Sequence, residues 1–84
     1  MFSKQATVAA KLGLHARPAA AFSRTAAETG KDITISLGDN SADAASLLEV
    51  MTLGANCGDV VTLSGDDDAA QAIEALVEFI ENQE

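Results

Sequence analysis

The sequence holds one histidine, one cysteine and one proline among 84 residues, and no lysine or arginine follows Lys31. Each scarcity excludes something. A lone imidazole, His15, cannot build a histidine-rich metal site. Cys57 has no second thiol, so neither a cysteine pair for a metal nor an internal disulfide is available. The opening MFSKQATVAAK has no continuous apolar core of the kind an export signal needs, and no stretch is long and apolar enough to span a bilayer. There are no repeats, no low-complexity tract and no linker. These absences point to a protein of a reducing cytoplasm that works without a metal, a cofactor or membrane insertion.

The charge is uneven as well as negative. The net charge is −8, which argues against general nucleic-acid binding. All five basic residues (Lys4, Lys11, Arg17, Arg24, Lys31) lie in the first 31 positions, where Glu28 is the only acid, and residues 32–84 hold twelve acids and no base. The lone histidine therefore sits in a segment of net +4, inside a chain that is otherwise acidic. That distribution suggests attraction for an anion or an acidic partner near His15. At this length one domain with one core is expected. Ordering the backbone costs roughly 1–2 kcal/mol per residue, and a well-buried aliphatic or Phe side chain returns about 1.5–3 kcal/mol. That balance leaves little room for a deep substrate cleft. A carrier, adaptor or regulator is favoured over an independent enzyme.

The elements read in the order β-α-β-β-α-β-α. Residues 2–8 alternate loosely and predict a strand. ARPAAAFSRTAAETG predicts a helix. Pro18 is tolerated in its first turn, alanines favour its body and Gly30 ends it. Ala19, Phe22 and Ala26 share its core face, and Ala20, Arg24 and Ala27 form a neighbouring stripe available to a partner. Residues 32–37 alternate cleanly, with Ile33, Ile35 and Leu37 on one face. Gly38-Asp39 then suits a hairpin turn into a short return strand over 40–43. Residues 46–54 predict a short helix with capping-box spacing at Ser46 and Glu49, ended by Gly54. Val60–Leu63 predicts a strand. After SGDDD, a last helix carries an apolar stripe of Ala69, Ile73, Leu76, Val77 and Ile80, with Glu74, Glu78 and Glu81 outside. Only the hairpin pairing is legible directly. Helices covering one face of a mostly antiparallel sheet satisfy the pattern with least elaboration.

The chemistry concentrates in GLHARPAAAF, residues 13–22. A helix beginning at Ala16–Pro18 leaves its first amides without helical partners and places partial positive charge at its opening. Such an opening accepts phosphate or carboxylate, and Arg17 adds a permanently charged fork of donors suited to phosphate oxygens. Near neutral pH an imidazole is largely an uncharged nucleophile. A phosphoryl group on the His15 ring would bring its oxygens to the Ala16 and Arg17 amides and the Arg17 side chain. The same donors could stabilise equatorial charge during transfer. The pattern points to reversible phosphoryl carriage. The competing reading is a surface histidine capping a helix beside a solvated arginine. Nothing in the sequence converges on a hydrolytic triad.

Gly13-Leu14-His15-Ala16-Arg17-Pro18-Ala19 resembles the active-site signature of the HPr family, the histidine-containing phosphocarriers of the bacterial phosphotransferase system. Ser46, followed by Leu47, Leu48, Met51 and Leu53-Gly54, resembles the family's second signature at the matching distance, and the likeness covers essentially the whole chain. The resemblance implies an α+β open-faced β-sandwich, with three helices on one side of a four-stranded antiparallel sheet. It implies Nδ1 of His15 as phosphoryl acceptor, assisted by Arg17. The donor would be enzyme I, itself charged by phosphoenolpyruvate, and the recipients IIA domains of sugar permeases, with regulatory proteins as further partners. The docking surface it implies comprises Ala16, Arg17, Ala20, Arg24, Ala27, Leu47, Leu48 and Met51, on a protein taken to be monomeric.

Ser46 carries two readings. The resemblance implies regulatory phosphorylation, whereas its spacing from Glu49 implies a helix cap, and Glu49 would meet a phosphate there as a like charge. Members regulated in this way usually carry glycine where this chain has Glu49. Leu12 is another departure, since a small polar residue is usual there. Of Leu47, Leu48 and Met51, one or two are expected to be exposed for docking. Cys57 reads as a turn residue, and Asp66–Asp68 as acids favoured at a helix start rather than a calcium loop. Two alternatives stand beside the carrier: a purely regulatory binding module of the same fold, and an acyl-carrier-like protein modified on Ser46. Against the latter, Ser46-Leu47 lacks a preceding aspartate and the strand patterns do not suit an all-helical bundle.

Overall fold

The structure is a computed structural model that describes residues 1–83. Four strands form one sheet: β1 (Phe2–Thr7), β2 (Ile33–Leu37), β3 (Asn40–Asp43) and β4 (Val60–Gly65). Three helices accompany them: α1 (Ala16–Glu28), α2 (Leu47–Thr52) and α3 (Ala70–Glu81), the last preceded by a single 3₁₀ turn over Asp67–Ala69. The sheet order is β1-β4-β2-β3, antiparallel throughout. This is the expected α+β architecture in the expected element order, and a sheet of this kind removes the all-helical acyl-carrier alternative.

The register explains the open face. Ala6 pairs with Val61, Ile35 with Leu63 and with Ala42, and all five are buried beneath the helices. Between them in sequence, Ser3, Gln5, Thr7, Thr34 and Ser41 are exposed on the opposite side. The period of two thus separates a core face from a hydroxyl-rich solvent face. The β2–β3 hairpin turns through Gly38-Asp39 with Leu37 opposite Asn40. Gly38 takes φ of 60°, the conformation that the first position of a two-residue hairpin turn favours in glycine.

The helix faces follow their stripes. Ala19, Phe22 and Ala26 of α1 are buried, as are Ile73, Leu76, Val77 and Ile80 of α3, and all join one cluster with the sheet. Glu74, Glu78 and Glu81 are exposed. Buried Ser23 satisfies its hydroxyl on the Ala19 carbonyl at 2.9 Å, which makes it compatible with a core-facing position.

Several local expectations change. Strand β4 runs two residues past Leu63, because Ser64 and Gly65 still pair with β1 and β2. The aspartate run does not cap a helix through its side chains. Asp66 precedes the 3₁₀ turn without a side-chain cap, Asp67 pairs with the terminal amino group at 3.0 Å and Asp68 with Lys31 at 3.3 Å. The capping box at α2 forms only by half. The Ser46 hydroxyl accepts from the Glu49 amide at 3.3 Å, but the Glu49 carboxylate turns away to accept from the Asp43 amide at 3.1 Å. Ser46's own amide already donates to the Asp43 carbonyl at 3.0 Å, so the reciprocal bond has no donor left.

Phe22 is the largest fully buried side chain and ties α1 into the cluster. Phe22→Ala should lower unfolding free energy by about 3–4 kcal/mol, measured as a lower urea midpoint at constant slope. A loss under about 1 kcal/mol would mean that α1 is not anchored there.

Candidate functional site

His15 is the N-cap of α1. Its backbone is extended (φ −80°, ψ −173°), its side chain makes no capping bond, and its carbonyl accepts the first helical bond from the Ala19 amide at 2.9 Å. The imidazole is exposed and, among the described residues, has no hydrogen-bond partner. Ala16 and Arg17 follow as the first two helical residues, and Pro18, the third, has no N–H. Two amides therefore point out of the helix opening beside an available ring. Among the described residues, neither they nor the Arg17 guanidinium has a hydrogen-bond or ion-pair partner.

The loop before His15 is stitched down along its length. Val8 and the Gly58–Asp59 turn exchange backbone bonds, Val8 N–H to the Asp59 carbonyl and Gly58 N–H to the Val8 carbonyl, each 2.9 Å. The Gly13 amide closes a turn on the Ala10 carbonyl, and the Leu14 amide reaches the Ala55 carbonyl, again at 2.9 Å. Leu14 is buried, so the chain is pinned one residue before His15. Gly13 permits that contact. Its φ is 75°, and a Cβ there would overlap the Ala55 carbonyl oxygen and lie 2.8 Å from Asn56 Cα. Gly13 belongs to the GLHARP stretch, but this steric role is not legible there. Its partner segment lies more than forty residues away, with no local signal for the approach.

A shallow open depression of about 230 Å³ lies beside the ring, walled by Leu12, Ala16, Met51 and Asn56 among others. Cys57, next to Asn56, is an exposed turn residue as expected. A larger hollow of about 350 Å³ lies elsewhere, against β2, β3 and Glu49. Asp32, Asp43 and Glu49 line it, which makes it hostile to an anion. Among the described residues, no group of three or more His, Cys, Asp or Glu is arranged to hold a metal ion.

Of the remaining candidates, Ala16 and Met51 share the depression beside His15, whereas Arg24 and Ala27 lie roughly two to three turns further along α1. Helix α1 packs beside α2. On α1, Arg24 and Ala27 are exposed and Ala20 is half-buried. On α2, Leu47, Leu48 and Met51 are 40%, 77% and 41% exposed. All three are therefore uncovered, not one or two, because a six-residue helix reaches the core chiefly through Val50, the only residue of α2 that is buried. The charge pattern also sharpens. Lys4 pairs with Glu74 at 3.5 Å and Lys31 with Asp68 at 3.3 Å. Lys11, Arg17 and Arg24 have no carboxylate in ion-pair reach among the described residues. The uncommitted cations are thus those of the His15 loop and α1.

Gly13→Ala should cost about 2–3 kcal/mol, from the left-handed backbone plus the clash with Ala55. It should also shift the His15 and Ala16 amide resonances. A variant of wild-type stability with unmoved resonances would show that the 13–14 loop does not set the site.

Comparison with known proteins identifies the family and the fold. The family model described as "PTS HPr component phosphorylation site" matches residues 2–82. The phosphocarrier protein HPr of Haemophilus influenzae is 42% identical over 81 residues, covering 95% of each chain. An HPr crystal structure from Thermoanaerobacter tengcongensis matches with a TM-score of 0.82 at 33% identity, over 100% of this chain and 99% of that one. A second structure from that organism, described as an HPr dimer, matches with a TM-score of 0.71 at 41% identity over 93% of both. With family model, relative and fold in agreement across nearly its full length, the chain belongs to the HPr family of phosphotransferase-system phosphocarriers.

Proposed function

We propose that this chain accepts a phosphoryl group on Nδ1 of His15 from phosphorylated enzyme I and passes it to IIA domains of sugar permeases. The observation that carries the reading is the exposed, uncapped His15 ring set beside the two unpartnered amides that open α1. The Nδ1 lone pair attacks phosphorus as the donor's bond to phosphorus breaks, and the N–P bond forms in line with the leaving atom. Nε2 keeps the ring proton during transfer. The phosphoryl oxygens fall to the Ala16 and Arg17 amides and the positive end of α1. Arg17 adds charge-assisted donors. Because the same donors serve the incoming and outgoing groups, the step runs in both directions.

Partners dock on the surface built by α1 and α2. Its apolar part is Ala20, Ala27, Leu47, Leu48 and Met51, and its cations are Arg17 and Arg24. Steering by those cations suits acidic partners and weakens as salt rises. The protein works in the cytoplasm as a monomer, since both partners need the face around His15 uncovered. Ser46 holds α2 in place through its bond to the Glu49 amide. Regulatory phosphorylation there would replace that bond with a dianion beside Asp43 and Glu49, and so would act by loosening α2 under the docking face.

Incubation with enzyme I and phosphoenolpyruvate should give an acid-labile label, which His15→Ala abolishes. Label that persists in the variant would refute the assignment. Arg17→Glu should slow transfer by about 10- to 100-fold with an unchanged circular dichroism spectrum, and an unchanged rate would remove Arg17 from the mechanism.

A further inference from the structure

The first turn of α1 is also held from the far end of the chain. Just past α3, the Gln83 carboxamide folds back and its Nε2 donates to the Pro18 carbonyl at 3.0 Å. The other end of that peptide group is the Ala19 N–H, which donates to the His15 carbonyl at 2.9 Å. Gln83 and His15 are thus joined by two hydrogen bonds in series through one peptide unit. In such a chain each bond polarises and orients the next. The tether acts on the turn whose outward amides are those of Ala16 and Arg17.

The remainder of the Gln83 amide argues that the donor is what matters. Its Oε1 is buried and has no hydrogen-bond partner among the described residues. A buried unpaired amide oxygen is a desolvation penalty. An apolar side chain of similar volume would fill the same space without it. Packing alone therefore favours Met or Leu at this position, and the amide is explained by the bond it donates.

We propose that Gln83 is a positioning residue for the His15 site, fixing the direction of the first turn of α1 through the Pro18–Ala19 peptide. Its functional consequence rests on the phosphocarrier reading above, whereas the tether itself does not. A purely structural residue would lose stability when replaced by an apolar isostere. A positioning residue should keep stability and lose rate.

The test compares wild type with Gln83→Met in three measurements. Thermal unfolding should occur at the same or a higher temperature. Amide hydrogen exchange at Ala19 should quicken about tenfold while Ile35 is unchanged, as expected for loss of one tether on a helix end. Phosphoryl acceptance from enzyme I should slow about three- to tenfold with KM for enzyme I unchanged, since misplacing a transition-state donor costs rate rather than affinity. Acceptance within twofold of wild type would overturn the proposal, whatever the exchange shows. So would slower acceptance with Ala19 exchange unchanged, or a general loss of protection with a lower unfolding temperature. A wild-type protein that takes no label would sink the carrier reading and the functional half of this one, and Ala19 exchange would still decide the tether.

Discussion

The close approach of Gly13 to the Ala55–Asn56 backbone is the contact on which the site depends. It lets the Leu14 amide bond the Ala55 carbonyl, buries the Leu14 side chain, and leaves His15 as the first residue free to face outward. Any side chain at position 13 would push the loop away from that segment, and the helix opening would lose its reference to the sheet. The contact is steric, so it is absolute in a way that a surface ion pair is not. The Val8–Asp59 and Gly58–Val8 bonds extend the same zipper back to the end of β1. His15 therefore takes its position from the β4 end of the sheet, through main-chain bonds that any sequence compatible with the turn could make.

Charge is then distributed around a position already fixed. Two of the five basic side chains are spent on carboxylates from the acidic half of the chain, Lys4 on Glu74 and Lys31 on Asp68. Such exposed pairs contribute little to stability, on the order of 0–1 kcal/mol each. Their effect on the electrostatic surface is larger. By neutralising cations away from the site, they leave Lys11, Arg17 and Arg24 as the unpaired cations among the described residues, on a molecule of net charge −8. An acidic surface repels an acidic partner except where those three residues lie, which favours one approach and disfavours the rest.

Much of this was legible in the sequence, and the reasons differ by element. The alternation in Ile33–Leu37 and the stripe Ala19, Phe22, Ala26 report burial directly, because period follows from backbone geometry. The HARP segment suggests the proposed chemistry because a nucleophile, an arginine and a helix start are local to five residues. Sheet order was hidden, since β1 meets β4 across more than fifty residues and no local pattern encodes that pairing. The Ser46–Glu49 spacing showed one half of a capping box and missed the other. Whether Glu49 reaches back to Ser46 depends on a competing donor, the Asp43 amide, which only the hairpin brings near. That all three of Leu47, Leu48 and Met51 are exposed is not legible either, because how little of a short helix reaches the core is a property of tertiary packing.

The site has a form suited to traffic rather than turnover. A carrier must give up its cargo as readily as it takes it, so tight burial of the phosphoryl group would slow one direction. An exposed ring beside a shallow depression avoids that trap, but it forgoes the low dielectric that strengthens buried donors. Preorganisation has to supply what burial does not. In the proposed role, the donors that meet the phosphoryl oxygens are main-chain amides whose direction is set by a helix, and that helix start is itself pinned by Leu14 on one side and by Gln83 on the other. Fixed dipoles of this kind need no reorganisation as charge moves across the transferring group. A domain too small for a deep cleft can therefore hold a reactive phosphoryl group, provided its backbone is held where the oxygens will be.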